Sequence, residues 1–193
     1  MDGKSYIIEK YVDDRILDAL SRHRCVACGA CCRWRGQVFL YPDDIKRLAE
    51  KLMLTVEQFL IRWCVVVWWT WDDTRQFRIG LARKDVGNEC VFLEGNLCSI
   101  HEFKPLLCKA GPAAWGWLWN PKYFWHFVQE SPSFRHSTGG LSRDEANHWF
   151  VSTRSAEAAA SHATSLTTLA EVSGISEEVL QVLPVVEFKE EVC

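Results

Sequence analysis

The residues best equipped for chemistry in this 193-residue chain are its nine cysteines. Seven of them stand in two groups: Cys25, Cys28, Cys31 and Cys32, then Cys90, Cys98 and Cys108. Thiolates are soft ligands for zinc, iron and iron–sulfur clusters. The run Cys25-x2-Cys28-x2-Cys31 has the spacing that supplies three corners of a [4Fe–4S] cluster, with the fourth ligand arriving from elsewhere. Zinc competes, because four-thiolate zinc sites also use C-x2-C. A zinc site of that kind takes two such pairs, and Cys90-x7-Cys98 with Cys108 does not form the second. The balance therefore falls towards iron–sulfur, with a zinc or iron ion as the alternative. Cys25, Cys28, Cys31 and Cys108 are expected to form one ligand set, and Cys32, Cys90 and Cys98 a second. Adjacent thiols on an irregular backbone diverge, so Cys31 and Cys32 are expected to face different partners.

The composition frames this chemistry. Hydrophobic residues make up 48% and charged residues 24%, so the chain can build a core and is not of a disordered type. Its net charge of −3 lacks the basic excess of a general nucleic-acid binder. The apolar run from Cys64 to Trp69 is far shorter than the roughly 20 residues that span a bilayer. The first residues carry no apolar signal segment, which points to a cytoplasmic, reducing setting. There, metal ligation outranks disulfide formation as the reading of so many thiols. No P-loop, no dinucleotide fingerprint and no Ser-His-Asp order is present.

These thiols need elements to position them. Apolar residues at helical spacing predict a helix over 11–23, leading into an irregular loop through Cys32. Gln37–Tyr41 reads as a short strand. Pro42 followed by Asp43 and Asp44 opens a helix to about Met53. Thr55 and Gln58 form a capping box for another to about Trp63. Residues 65–71 and 75–82 read as a hairpin, and Glu94-Gly95-Asn96 turns a smaller one. Residues 109–140 are aromatic and broken by Pro112, Pro121, Pro132 and Gly139-Gly140, which predicts irregular structure. Ser142 and Glu145 cap a helix to about His162, and a short one lies near 176–183. The expected fold class is α+β: a small irregular cysteine-rich module over 1–140, with a helical appendage over 141–193.

The joint pattern resembles a known group. Cys25-x2-Cys28-Gly-Ala-Cys31-Cys32-Arg33, followed by Cys90-Val-Phe-Leu-Glu-Gly-Asn-Leu-Cys98-Ser-Ile-His101 and Pro105-Leu-Leu-Cys108-Lys, is similar to the YkgJ-type cysteine-cluster family. That family is described as a zinc- or iron-chelating domain, and its members are often called Fe–S oxidoreductases. The resemblance covers about residues 24–140. It implies metal ligation by the seven thiols of the two groups. Three departures stand out. Lys104-Pro105 replaces the family's Arg-Pro, His101 replaces an aromatic residue, and Ser131-Pro132-Ser133 replaces a Cys-Pro-Gly, leaving one expected thiol absent at Ser131. His101 can act as a replacement ligand or as a hydrogen-bonding surface residue.

Outside the two groups, Cys64 reads as a buried free thiol and Cys193 as a terminal one. Trp115, Trp117, Trp119, Tyr123, Phe124, Trp125 and Phe127 read first as an apolar wall on the metal loops, second as a recognition groove. His126, His136 and His148 read as boundary or surface residues. The favoured function is a metal-binding protein holding an iron–sulfur cluster, for redox or for metal-dependent modification of a protein or peptide partner. The rival is a non-catalytic, zinc-stabilised protein-binding module with a Trp-rich face, and a third reading is metal storage or delivery. Either class implies a protein or peptide partner and no membrane.

Overall fold

A computed structural model describes residues 7–34, 36–71, 73–114, 118, 120–135, 139–160 and 163–188. The side chain of Trp71 is not described. The fold class is α+β, as the patterning indicates.

Thr55 caps α4 (Val56–Trp63) with the expected box, its hydroxyl accepting from Gln58 N and the Gln58 side chain accepting from Thr55 N. α4 follows α3 (Pro42–Lys51), where Pro42 occupies the first turn and Leu52 the C-cap. α4 runs directly into β1 (Cys64–Trp71), which pairs antiparallel with β2 (Thr74–Leu81) from Cys64↔Leu81 to Trp71↔Thr74. The β-branched run Val65-Val66-Val67 makes β1 a central strand. Its other edge receives β5 (Val185–Glu187) in parallel, Val66 opposite Val185, an addition the short tail had not suggested.

The first core lies between this sheet and α3, α4, α8 (Leu166–Ser173) and α9 (Glu177–Val182). Phe59, Leu60, Val66, Ile79 and Leu180 are fully buried in it. A second core joins α1 (Asp14–Arg22), α6 (Pro121–Glu130) and α7 (Arg143–Ala160) around Phe124, Phe127, Phe134 and Phe150. Edge-to-face pairs hold the ring cluster, with Phe124–Phe134 centroids 6.1 Å and Phe127–Phe134 5.9 Å apart.

Helices after residue 140 enter both cores. At Gly140 the chain passes so close to α1 that a Cβ would stand 2.1 Å from Ser21 O. Farther along α7, Glu157 takes a bidentate pair from Arg78 of β2, with the shorter contact 2.7 Å, and accepts from the Tyr41 hydroxyl at 3.0 Å.

Four local expectations differ from the structure. The first helix begins at Asp14, because Asp13 caps it by accepting from Ile16 N. The strand expected at Gln37–Tyr41 reduces to a single bridge, Phe39↔Gly80, as Pro42 ends any extension. Within the stretch expected to be irregular, Asn120 caps and Pro121 opens α6, so that proline starts a helix. The fourth, α8, was not anticipated; Ser165 and Thr168 form its capping box.

Candidate metal centre

The thiols are carried by three remote segments. The first is the loop 23–29 with its short helix α2 (Ala30–Arg33). The second is the hairpin of β3 (Leu93–Glu94) and β4 (Leu97–Cys98), with Cys90 just before it. The third is α5 (Leu106–Ala110), which bears Cys108.

Gly29 makes the approach of the first two possible. It has φ +73°, and a Cβ there would stand 2.8 Å from Arg33 Nη1 and 3.1 Å from Asn96 O. Only glycine meets both demands. Arg33 then ties the segments together. Its guanidinium donates to Cys28 O at 3.2 Å, Gly95 O at 2.6 Å, Asn96 Oδ1 at 2.6 Å and Glu89 Oε1 at 3.0 Å. The backbone adds Cys90 N donating to Cys32 O at 2.8 Å. Arg83 closes the other side by donating to Trp34 O at 2.6 Å and Gly36 O at 2.9 Å.

The third segment hangs from α3. Arg47 donates to the carbonyls of Phe103 and Lys104, and Asp44 Oδ1 accepts from Leu106 N at 3.0 Å and from Arg47 at 2.6 Å. Asp44 is buried, and its Oδ2 has no hydrogen-bond partner among the described residues. Burial raises its carboxyl pKa above the ordinary 3.8, against the lowering effect of Leu106 N and Arg47. In the window above 3.8 the folded chain thus holds a proton that the unfolded chain has released, so stability falls as pH rises through that window. Asp44→Asn is expected to abolish this part of the slope, measured as the difference between the two chains' melting temperatures from pH 4 to 7. Asp44→Ala leaves Leu106 N without its acceptor and removes the carboxylate partner of Arg47, and is expected to cost about 1–3 kcal/mol in denaturant unfolding.

In place of the irregular backbone expected there, α2 puts a helical turn at Cys31 and Cys32. The side chains of Cys31, Cys90 and Cys98 favour Cys32 as the proton holder and raise its pKa strongly. The same coupling to Cys32 lowers Cys31 to about 7 and Cys98 to about 6, and lowers Cys90 as well. The Lys104 ammonium also favours the thiolates of Cys31 and Cys98. Cys31 is solvent-exposed, although local desolvation still opposes its ionisation. Cys108 is raised, first by burial and then by the charges of Cys31, Cys90 and Cys98, so it belongs to the same electrostatic neighbourhood.

Cys25 and Cys28 make other contacts. Cys25 Sγ is 3.3 Å from His101 Nε2 and 3.8 Å from Lys104 Nζ. Cys28 Sγ is 3.8 Å from Ser133 Oγ. Ser131, where a thiol is missing, is buried and accepts from Ser133 N.

The donor set fits a soft metal. Four electrostatically coupled thiols, three of them biased towards thiolate, are donors of the kind zinc and iron accept. Among the described residues no group of three or more Cys, His, Asp or Glu side chains is placed to hold a metal ion. Metal uptake by thiols releases their protons.

A family described as "CxxCxxCC: Putative zinc- or iron-chelating domain" matches residues 24–134, more than half of the chain. The chain belongs to this family. No curated protein and no solved structure matches it. Zinc or iron chelation is the activity in the chelating family's description, and the matched span contains both cysteine groups and the Ser131–Ser133 turn.

The remaining residues singled out in the sequence fall elsewhere. Cys64 is buried in the first core, where burial raises its thiol pKa. Phe124 and Phe127 are buried in the second core, with Trp125 packed against it. Trp34, just after α2, packs on Phe127 and His126 at 5.4 and 5.1 Å and so links the cysteine loop to α6. His126 lies near Glu130, and exposed His148 meets Trp149 edge-on. Trp115, Trp117, Trp119, His136 and Cys193 lie outside the described residues. Among the described residues no helix is long and apolar enough to cross a membrane. Arg33, Arg83, Asp44 and Arg47 had not been identified as positioning residues. The one signal for them was an Arg directly after the Cys31-Cys32 pair.

Proposed function

We propose that this chain binds a zinc or iron ion through Cys31, Cys32, Cys90 and Cys98, with Cys108 beside them, and that the ion fastens three remote segments into one module. The observation that carries this reading is that one segment matching a zinc- or iron-chelating family holds Cys31, Cys32, Cys90 and Cys98, whose side chains set one another's protonation. When bound, a closed four-thiolate zinc would supply structure, and iron would add one-electron chemistry. Arg33, Arg83, Asp44 and Arg47 hold the ligand-bearing backbone in place.

A second reading has a specific observation behind it. Five neighbouring thiols, with Cys25 and Cys28 close in sequence, exceed what one ion takes, which favours an iron–sulfur cluster serving redox or modification of a peptide partner. Anaerobic purification followed by metal and acid-labile sulfide analysis separates the two. Zinc or iron without labile sulfide is the expected result. Sulfide in equal amount to iron, with broad visible absorbance, would replace the first reading by the second. A chain free of both metals after expression in supplemented medium would sink both.

A further inference from the structure

We infer that Cys25 is a reactive thiol that exchanges with low-molecular-weight disulfides, with His101 as its base and Lys104 as the cation beside its sulfur. This goes beyond the ion site, because Cys25 is not among the four thiols proposed to hold the ion.

The geometry of three side chains from two remote segments carries it. Cys25 Sγ is 3.3 Å from His101 Nε2, although 76 positions separate them. A thiol within hydrogen-bond reach of an imidazole is the arrangement that activates sulfur for covalent chemistry. Lys104 Nζ donates to the same sulfur at 3.8 Å. A cation there stabilises negative charge as it develops on sulfur. Cys25 and His101 are both exposed, so a disulfide in solution can reach the pair. Cys64 is the contrast, a thiol only 2% exposed in the first core. The pair is also held in place from behind. Arg24 N donates to Ser133 O at 2.9 Å and fixes the loop just before Cys25. His101 opens a single 3-10 turn, His101–Phe103. Arg47 donates to the carbonyls of Phe103 and Lys104, so the turn and the lysine share one anchor on α3.

The exchange balances with the disulfide as its only co-reactant. With its own ring proton on Nδ1, His101 accepts the Cys25 proton at Nε2 as the sulfur attacks one sulfur of the disulfide. The new S–S bond to Cys25 forms as the substrate's S–S bond breaks. The departing sulfur takes the proton from the imidazolium and leaves as a thiol. Cys25 ends oxidised, as a mixed disulfide, and one half of the substrate ends reduced.

The test exposes the full, zinc-loaded chain to glutathione disulfide and follows the mixed disulfide at Cys25 by peptide mass spectrometry. Cys25 is expected to react about tenfold faster than a single cysteine in an unstructured peptide, a modest gain because thiols are already good nucleophiles. His101→Ala is expected to fall to the peptide's rate, and free imidazole to restore most of the loss. Lys104→Gln should lie between the two, and Cys64 should stay unmodified. A wild-type rate no higher than the peptide's would overturn the inference without any variant. An unchanged rate in His101→Ala, or a loss that imidazole does not rescue, would remove His101 as the base. Slower modification in the zinc-loaded chain than in the metal-free chain would place the sulfur on an ion and overturn the inference, while leaving the ion-binding reading intact.

Discussion

Stripping the metal from the purified chain is expected to remove most of its cooperative stability. The thiol patch lies where three remote segments meet, the loop before α2, the β3–β4 hairpin and α5, so an ion there adds to the hydrogen bonds of Arg33, Arg47 and Asp44 that tether them. Cys90 is buried in the first core, and Cys32 and Cys98 pack against it. An ion held there is thus continuous with the sheet and with α3 and α4. A structural zinc is worth an apparent 10–16 kcal/mol or so at neutral pH in small zinc-binding peptides. The net stability of a typical domain is about 5–15 kcal/mol. The two magnitudes overlap, so the metal-free chain should retain little stability. Metal loss also leaves Cys31, Cys90 and Cys98 biased towards thiolate, crowding like charge where the segments meet. Calorimetry before and after chelation, then after zinc is restored, reads the effect. The expected result is a large drop in the melting transition, recovered on reloading. Equal melting temperatures with and without metal would show that the two apolar cores suffice.

The second large effect is expected at Cys32. Its protonation is coupled to Cys31, Cys90 and Cys98, and Cys32→Ser leaves a weak hydroxyl donor in place of a proposed ligand. Metal affinity should fall more than about a hundredfold, beyond the 10–100-fold that loss of an outer-shell partner costs. The control is Cys64→Ser. Cys64 is 2% exposed and belongs to the first core. Its serine variant buries a hydroxyl at a cost of about 1–3 kcal/mol, with metal content unchanged. Competition titration against a chromophoric chelator measures the first, and denaturant unfolding the second. If both variants kept wild-type affinity, Cys32 would not be a ligand.

The chemistry was more legible in the sequence than the grouping was. Cysteine is rare and its spacing carries meaning, so the family, whose match spans both groups of thiols, was readable. What the spacing could not show was that α2 forms at Cys31–Cys32. A four-residue helix leaves no periodic signal, and it is fixed by Gly29 together with Arg33 bonds to a hairpin 62 or more positions away. The Cys25–His101 contact is hidden for the same reason, since nothing local links them. Capping boxes at Thr55 and Ser142 were legible because each is a four-residue event, with Ser142 N donating to Glu145 and Glu145 N to Ser142 Oγ. β5 was not, because three exposed residues become a strand only when Val66 and its neighbours offer an edge. Asp44 read as a helix-start acid, and only the folded chain shows it holding Leu106.

X-ray absorption at the metal edge of the zinc- or iron-loaded chain tests the central claim most directly. A first shell dominated by sulfur at about 2.3 Å, reduced in Cys32→Ser, is the predicted spectrum. A first shell of oxygen and nitrogen alone would contradict metal binding by these thiols.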